Sequence, residues 1–251
     1  MLNLIYRPCH FETDSFIRTN VPRNRPDWFD KFTCYKSFLI SALIAKEKVN
    51  KITIVFNGEK GSFYDYLLES GDIISKNNIK FSFVEIEERS RVGSINAALK
   101  IACEDNENTY TVDDDYLHLP ECIFKIANSI QRFGILTTYD HLDRYTRTDD
   151  IDYKKEIVFD FHSNHHWRTT ESTCHAYAIS KQMLQKIKDI LFLPQYQEYD
   201  RELWIHLHKI GIPLWSCMPS LTTHAHEDFL APAINWEKLN TFVKEFKLEN
   251  L

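Results

Sequence analysis

Hydrophobic positions in the first half of the chain fall into two alternating patterns. Short runs of period two, or wholly apolar runs, predict strands at Leu2 to Tyr6, Lys51 to Phe56, Ile79 to Ile86 and Tyr110 to Val112. Between them, apolar residues recur at helical spacing. Phe32, Tyr35, Phe38, Leu39, Ala42 and Leu43 share one face of a helix predicted over 31–48. Ser62 is placed to cap a helix through Phe63, Tyr66, Leu67 and Leu68, and Ile95, Ala98, Leu99 and Ala102 mark a helix over 94–103. Such alternation of strands and helices implies an α/β fold with a mainly parallel sheet and helices on its faces.

The pattern changes after residue 120. A helix over 121–133 stops at Gly134, and Ile135 to Tyr139 reads as a strand. Glu156 to Phe161 and Ser172 to Ile179 read as hairpin or mixed-sheet material. Ser180 caps a further helix, Asp200 opens another that Gly211 ends, and Ile212 to Met218 is a last strand. A final helix over 235–248 carries Trp236, Leu239, Phe242, Val243 and Phe246 on one face, suited to packing on the domain or on a second subunit, which leaves a homodimer open. Residues 9–31 form a long polar stretch with Pro22 and Pro26. Loops of that length are often functional, and this one could fold over a ligand.

At 251 residues and 43% hydrophobic content, one domain with a substantial core is expected. A net charge of −6 without a basic block disfavours nucleic acid. No apolar run reaches transmembrane length, and the first residues lack the features of a secretion signal. The six scattered cysteines show no paired spacing and read as reduced, so the expected location is cytoplasmic, with a peripheral membrane association left open.

Chemistry concentrates at Asp113-Asp114-Asp115, directly after the fourth strand. Three adjacent acids repel one another unless a cation or donors balance them. In extended chain Asp113 and Asp115 would point one way and Asp114 the other. Two oxygen ligands at a strand end suit Mg²⁺ or Mn²⁺ carrying a phosphate-bearing substrate. With 6 glycines and no Gly-rich phosphate loop, phosphate binding would rest on metal and side chains. Arg7 and Asn57 also lie at strand ends, where open α/β sheets bind ligands. The segment from Phe161 to Arg168 holds His162, His165, His166, Asn164 and Trp167. Its rings and polar groups suit sugar recognition, and with His175 its histidines offer a rival zinc reading. The segment from Tyr139 to Tyr145 could also lie near an acceptor.

Four segments together resemble the DXD-containing, GT-A-fold glycosyltransferases that use nucleotide sugars. They are Arg91-Val92-Gly93-Ser94-Ile95-Asn96-Ala97-Ala98-Leu99-Lys100, the three aspartates, Tyr199-Asp200-Arg201-Glu202-Leu203-Trp204, and Pro219-Ser220-Leu221-Thr222-Thr223-His224. The resemblance covers roughly residues 1–228. It implies a GT-A-like (Rossmann-like) single domain, with a nucleotide-sugar half over about 1–119, an acceptor half over about 120–228 and a C-terminal helix over 229–251. It implies Mn²⁺ or Mg²⁺ held by Asp113, Asp115 and His224, with His226 as a rival. Arg7, Asn57, Arg91, Asn96, Asp113 and Asp114 would contact the donor, a UDP- or GDP-sugar. Asp200 would be the general base of an inverting transfer to a glycan, glycolipid or glycoprotein hydroxyl, with Glu198 as its reserve. Two departures stand out: Asn57 where many members carry Asp, and Tyr199 in place of an acid before Asp200. The alternatives are a metal-dependent nucleotidyltransferase or hydrolase of sugar nucleotides, and a carbohydrate-binding protein without catalysis.

Overall fold

Strand β1 (Leu2–Arg7) is buried along its whole length, as a central parallel strand must be. Its side chains divide between two layers: Leu4 and Tyr6 join one apolar cluster and Ile5 the other. The computed structural model describes residues 1–10, 24–87, 90–146, 156–197 and 200–251. Much of the polar 9–31 stretch, including any lid it might form, therefore lies outside the described residues.

The first half alternates as expected. After β1 come β2 (Cys9–His10), α1 (Lys31–Ile44), β3 (Val49–Gly58), α2 (Ser62–Lys76), β4 (Lys80–Glu85), α3 (Arg91–Asp105) and β5 (Asn108–Asp113). Strands β3 and β5 flank β1, both parallel to it, and β4 lies parallel on the outer side of β3. Asp30 caps α1 through the amides of Phe32 and Thr33, and Ser90 caps α3 through Gly93. Ser62 is instead the first helical residue of α2, behind Gly61.

The second half holds β6 (Tyr116–His118), α4 (Cys122–Phe133), β7 (Ile135–Thr137), α5 (Asp143–Thr146), β8 (Ile157–Asp160), β9 (His165–Thr170) and β10 (Tyr177–Ile179). It ends with α6 (Lys181–Leu191), α7 (Pro194–Gln197), α8 (Asp200–Lys209), β11 (Leu214–Met218), β12 (Thr222–His224) and α9 (Trp236–Glu245). Strand β10 lies antiparallel between β5 and β7. Beyond β7 come β11, parallel to it, then the antiparallel strands β9 and β8. The result is a mixed, mainly parallel sheet flanked by helices. Gly134 ends α4 at φ +78°, a conformation that costs glycine little.

Two elements depart from the sequence pattern. Asp114 and Asp115 form a turn, and Tyr116 to His118 leave the main sheet to pair with Thr222 to His224 in a ribbon of their own. The segment His165 to Thr170 is strand, and Trp167 within it is fully buried against Phe133. Its indole N–H donates to Ser163 Oγ. This corrects the expectation that Trp167 offers a stacking face to a sugar, because its ring is core. The final helix packs as expected through Trp236 and Val243, while Phe242 stays exposed. Among the described residues no helix is long and apolar enough to cross a membrane.

Candidate functional site

Parallel pairing of β1 with β5 sets Arg7 directly opposite Asp113. Both of these residues close their strands. Arg7 donates to Asp113 Oδ1 through Nε at 2.9 Å and Nη2 at 2.5 Å. The turn that follows sends the next two acids elsewhere. Asp114 Oδ2 accepts from the Cys9 amide at 2.9 Å and pairs with Lys31 Nζ at 2.8 Å. Asp115 Oδ2 meets Arg25 Nη2 at 2.8 Å and His224 Nε2 at 3.0 Å.

His224 owes its position to the small ribbon. It stands in register with Tyr116, whose ring stacks on it at 5.3 Å. The Ala225 amide donates to the Asp115 carbonyl at 2.8 Å and locks the turn to the ribbon. His226 does a different job: its Nδ1 accepts from the Asp228 amide and caps a short helical turn. Between the two histidines, His224 is the one against an acid of the triplet.

The surroundings move the three carboxyls in different directions. Burial pushes Asp113 above the ordinary carboxylate range, opposed by Arg7. Burial likewise raises Asp114, opposed by Lys31. For Asp115, burial is outweighed by His224 and then Arg25, which together hold the carboxyl well below the usual range. Asp115 is thus the acid most firmly kept as an anion.

Other sequence candidates border this cluster. Asn57 is buried, bonds the Ser90 carbonyl through Nδ2 at 3.2 Å, and leaves Oδ1 buried without a hydrogen-bond partner. Arg91 Nη2 lies 2.6 Å from His175 Nε2 and adds positive charge near Asp113. Asn96 sits half-buried on α3, beyond Arg91. Asp200 opens α8, but its side chain lies outside the described residues, as do Glu198 and Tyr199.

Asp113 was expected to share a metal with Asp115 and His224. The turn breaks the period-two alternation that argument used, and Arg7 draws Asp113 to a different partner. Among the described residues no group of three or more His, Cys, Asp or Glu side chains is arranged to hold a metal ion. That also removes support from the zinc reading. His165 spends Nε2 on the Pro219 carbonyl, and His175 faces Arg91. Asp115 and His224 are the residues here that could hold a Mg²⁺ or Mn²⁺ ion, a carboxylate and an imidazole side by side, whose 3.0 Å hydrogen bond the ion would have to replace, with phosphates and water supplying its remaining ligands.

Two site residues escaped the sequence reading, Arg25 and Lys31. The only signal for Arg25 was its place beside Pro26 in the long polar stretch. A second polar cluster lies toward β11. Asp140 is fully buried, pairs with Arg168 Nη2 at 2.5 Å, and accepts from the Tyr145 hydroxyl. The Tyr139 to Tyr145 segment is therefore tied to Arg168 of β9.

By sequence, no family model and no curated protein matches the chain. Solved structures do match. A putative glucose-1-phosphate thymidylyltransferase from Bacillus anthracis, solved with sucrose, aligns over 100% of this chain and 99% of its own at 12% identity and a TM-score of 0.54. The fold is shared. A UDP-glucose pyrophosphorylase bound to UDP-glucose aligns over 97% of both chains at 11% identity and a TM-score of 0.48. A nucleoside-diphosphate-sugar pyrophosphorylase from Vibrio cholerae RC9 aligns over 85% of this chain and 90% of its own, at 12% and 0.45. These neighbours are named for nucleotidyl transfer, whereas the motifs suggested glycosyl transfer. At 12% identity the likeness to the putative thymidylyltransferase shows a shared α/β fold alone and leaves the reaction to the site.

Proposed function

We propose that the chain is a metal-dependent enzyme of nucleotide sugars, and that it transfers the sugar from a UDP- or GDP-sugar to a hydroxyl of a glycan, glycolipid or glycoprotein. One observation carries its metal and diphosphate part, and the transfer to a hydroxyl rests on the four sequence segments named above. Asp115, held ionised at the carboxyl end of the sheet, stands 3.0 Å from His224, with Arg7 and Arg25 in the same cluster. When bound, Mg²⁺ or Mn²⁺ would supply Lewis-acid neutralisation of the leaving diphosphate, on Asp115 and His224. Asp113 and Asp114 fix the turn that presents Asp115. Arg7, Asn57, Arg91 and Asn96 line the donor side within the 1–119 half. Asp200, at the start of α8, takes the acceptor proton in an inverting transfer.

The second reading is nucleotidyl transfer, favoured by the fold shared with the putative thymidylyltransferase. Against it, Pro8-Cys9-His10 follows β1, with no glycine to let a backbone cradle approach a triphosphate. The products separate the two. Incubation with UDP-, GDP- and dTDP-sugars and Mn²⁺ should release the nucleoside diphosphate, and chelator should stop it. Nucleoside triphosphate formed only when pyrophosphate is added would replace glycosyl transfer with nucleotidyl transfer. Binding without either product would leave a carbohydrate-binding protein.

A further inference from the structure

Each acid of the triplet meets its own cation: Asp113 meets Arg7, Asp114 meets Lys31, and Asp115 meets Arg25. The three cations are held differently. Arg7 belongs to a central strand, grips Asp113 with two nitrogens and has a side chain only 4% exposed. Lys31 begins a 14-residue helix. Arg25 comes from non-helical chain ahead of that helix. Its guanidinium bridges Asp115 Oδ2 and the Ala225 carbonyl, the latter at 2.5 Å, and lies over the Phe29 ring at 4.5 Å.

The oxygen that Arg25 takes is the one that faces His224. A cation shared by Asp115 and His224 would therefore sit beside a guanidinium, and the two positive charges repel at that range. Arg25 is a long unbranched side chain whose planar fork also fits phosphate oxygens. A nucleoside diphosphate arriving with its cation offers that fork new acceptors in the same place.

We infer that Arg25 holds the cation's place on Asp115 and releases it when a divalent cation and a nucleoside diphosphate bind, its guanidinium then pairing with the diphosphate. The inference rests on the metal reading of the Asp115–His224 pair. It makes Arg25 a donor-binding residue and couples cation binding to nucleotide binding.

The test is titration of Mn²⁺, read from the spin-resonance signal of the free ion, on wild type, Arg25→Met, Arg25→Lys and Asp115→Asn. Met keeps the side chain's length over Phe29 without its charge, and Arg25→Gln repeats the measurement should Met disturb folding as judged by thermal unfolding. Without nucleotide, Arg25→Met should bind Mn²⁺ at least about tenfold more tightly than wild type, and Arg25→Lys should stay near wild type. UDP or GDP should then tighten Mn²⁺ on wild type by a clearly larger factor than on Arg25→Met. Equal Mn²⁺ affinities in wild type and Arg25→Met, both lost on Asp115→Asn, would overturn the inference and leave the metal reading standing. Equal nucleotide enhancement in the two, or none in wild type, would overturn the hand-over to diphosphate. Mn²⁺ binding that Asp115→Asn leaves unchanged, or no binding by any variant, would remove the metal reading and the inference with it.

Discussion

Asp160 and Asp115 are both buried carboxylates, and their surroundings differ in kind. Asp160, at the end of β8, accepts from the hydroxyls of Ser129 and Ser163 at 2.7 Å, from the Ser163 amide, and from Arg132 at 2.9 Å. Burial raises its pKa, yet the two serines, then Arg132, bring it down to about 2. Asp115 is held by side chains brought from far along the chain, Arg25 and His224. Asp160 draws most of its hydrogen bonds from serine hydroxyls and an amide of its own neighbourhood, with Arg132 beside them. A carboxylate held by a guanidinium and an imidazole has partners that a metal ion or a phosphate can displace. On the function proposed above, that difference separates an acid that builds the fold from one that serves the site.

Breaking the structural acid should cost most. Asp160→Ala leaves the buried Ser129 and Ser163 donors without their acceptor and should lower stability by about 2–4 kcal/mol in urea unfolding. A loss below about 1 kcal/mol would erase the contrast with Asp115. Next comes a pH effect from the neutral network beside the site. His118 is buried between Tyr110 and the Tyr116 carbonyl, and burial lowers its pKa to about 3. The unfolded chain takes up that proton near pH 6.5 while the native chain does not, so stability falls as pH drops from about 6.5 toward 3. About 3 kcal/mol should be lost between pH 6.5 and 4. Asp160 adds its own loss only below about pH 4. His118→Gln should flatten the upper window, and an unchanged profile would show that His118 does not set it.

Asp115→Asn should change stability by only about 1–2 kcal/mol, because the amide oxygen of the replacement still accepts from Arg25. A loss as large as that of Asp160→Ala would make Asp115 a structural acid too. Smallest of all, Phe161→Ala should move stability by less than about 0.5 kcal/mol, since that ring is 83% exposed. Trp167, six residues on, is core, so any sugar contact in this segment falls to its exposed members.

The parallel half was legible in the sequence because it obeys local rules. Strands β1, β3 and β5 are apolar runs, α1 shows its buried face at helical spacing, and the sheet rule places ligands where Arg7 and Asp113 stand. The acids themselves were legible as unusual chemistry. Their partners were not, because Arg25 and Lys31 reach them only through the tertiary fold. The two-residue turn at Asp114 and Asp115 defeated the alternation argument, and three-residue strands such as β6, β10 and β12 are too short for any period to show. Trp167 looked like a sugar platform because composition alone cannot tell a buried ring from an exposed one.

The central claim is that Asp115 anchors a cation that carries a nucleoside diphosphate. Thermal unfolding of wild type and Asp115→Asn with UDP or GDP, in Mn²⁺ and in chelator, tests it most directly. Ligand at a hundred times its dissociation constant should stabilise wild type by about 2.7 kcal/mol in Mn²⁺. That shift should vanish in chelator and in Asp115→Asn, while the variant alone melts close to wild type. A nucleotide shift that persists in chelator or in Asp115→Asn would contradict the claim.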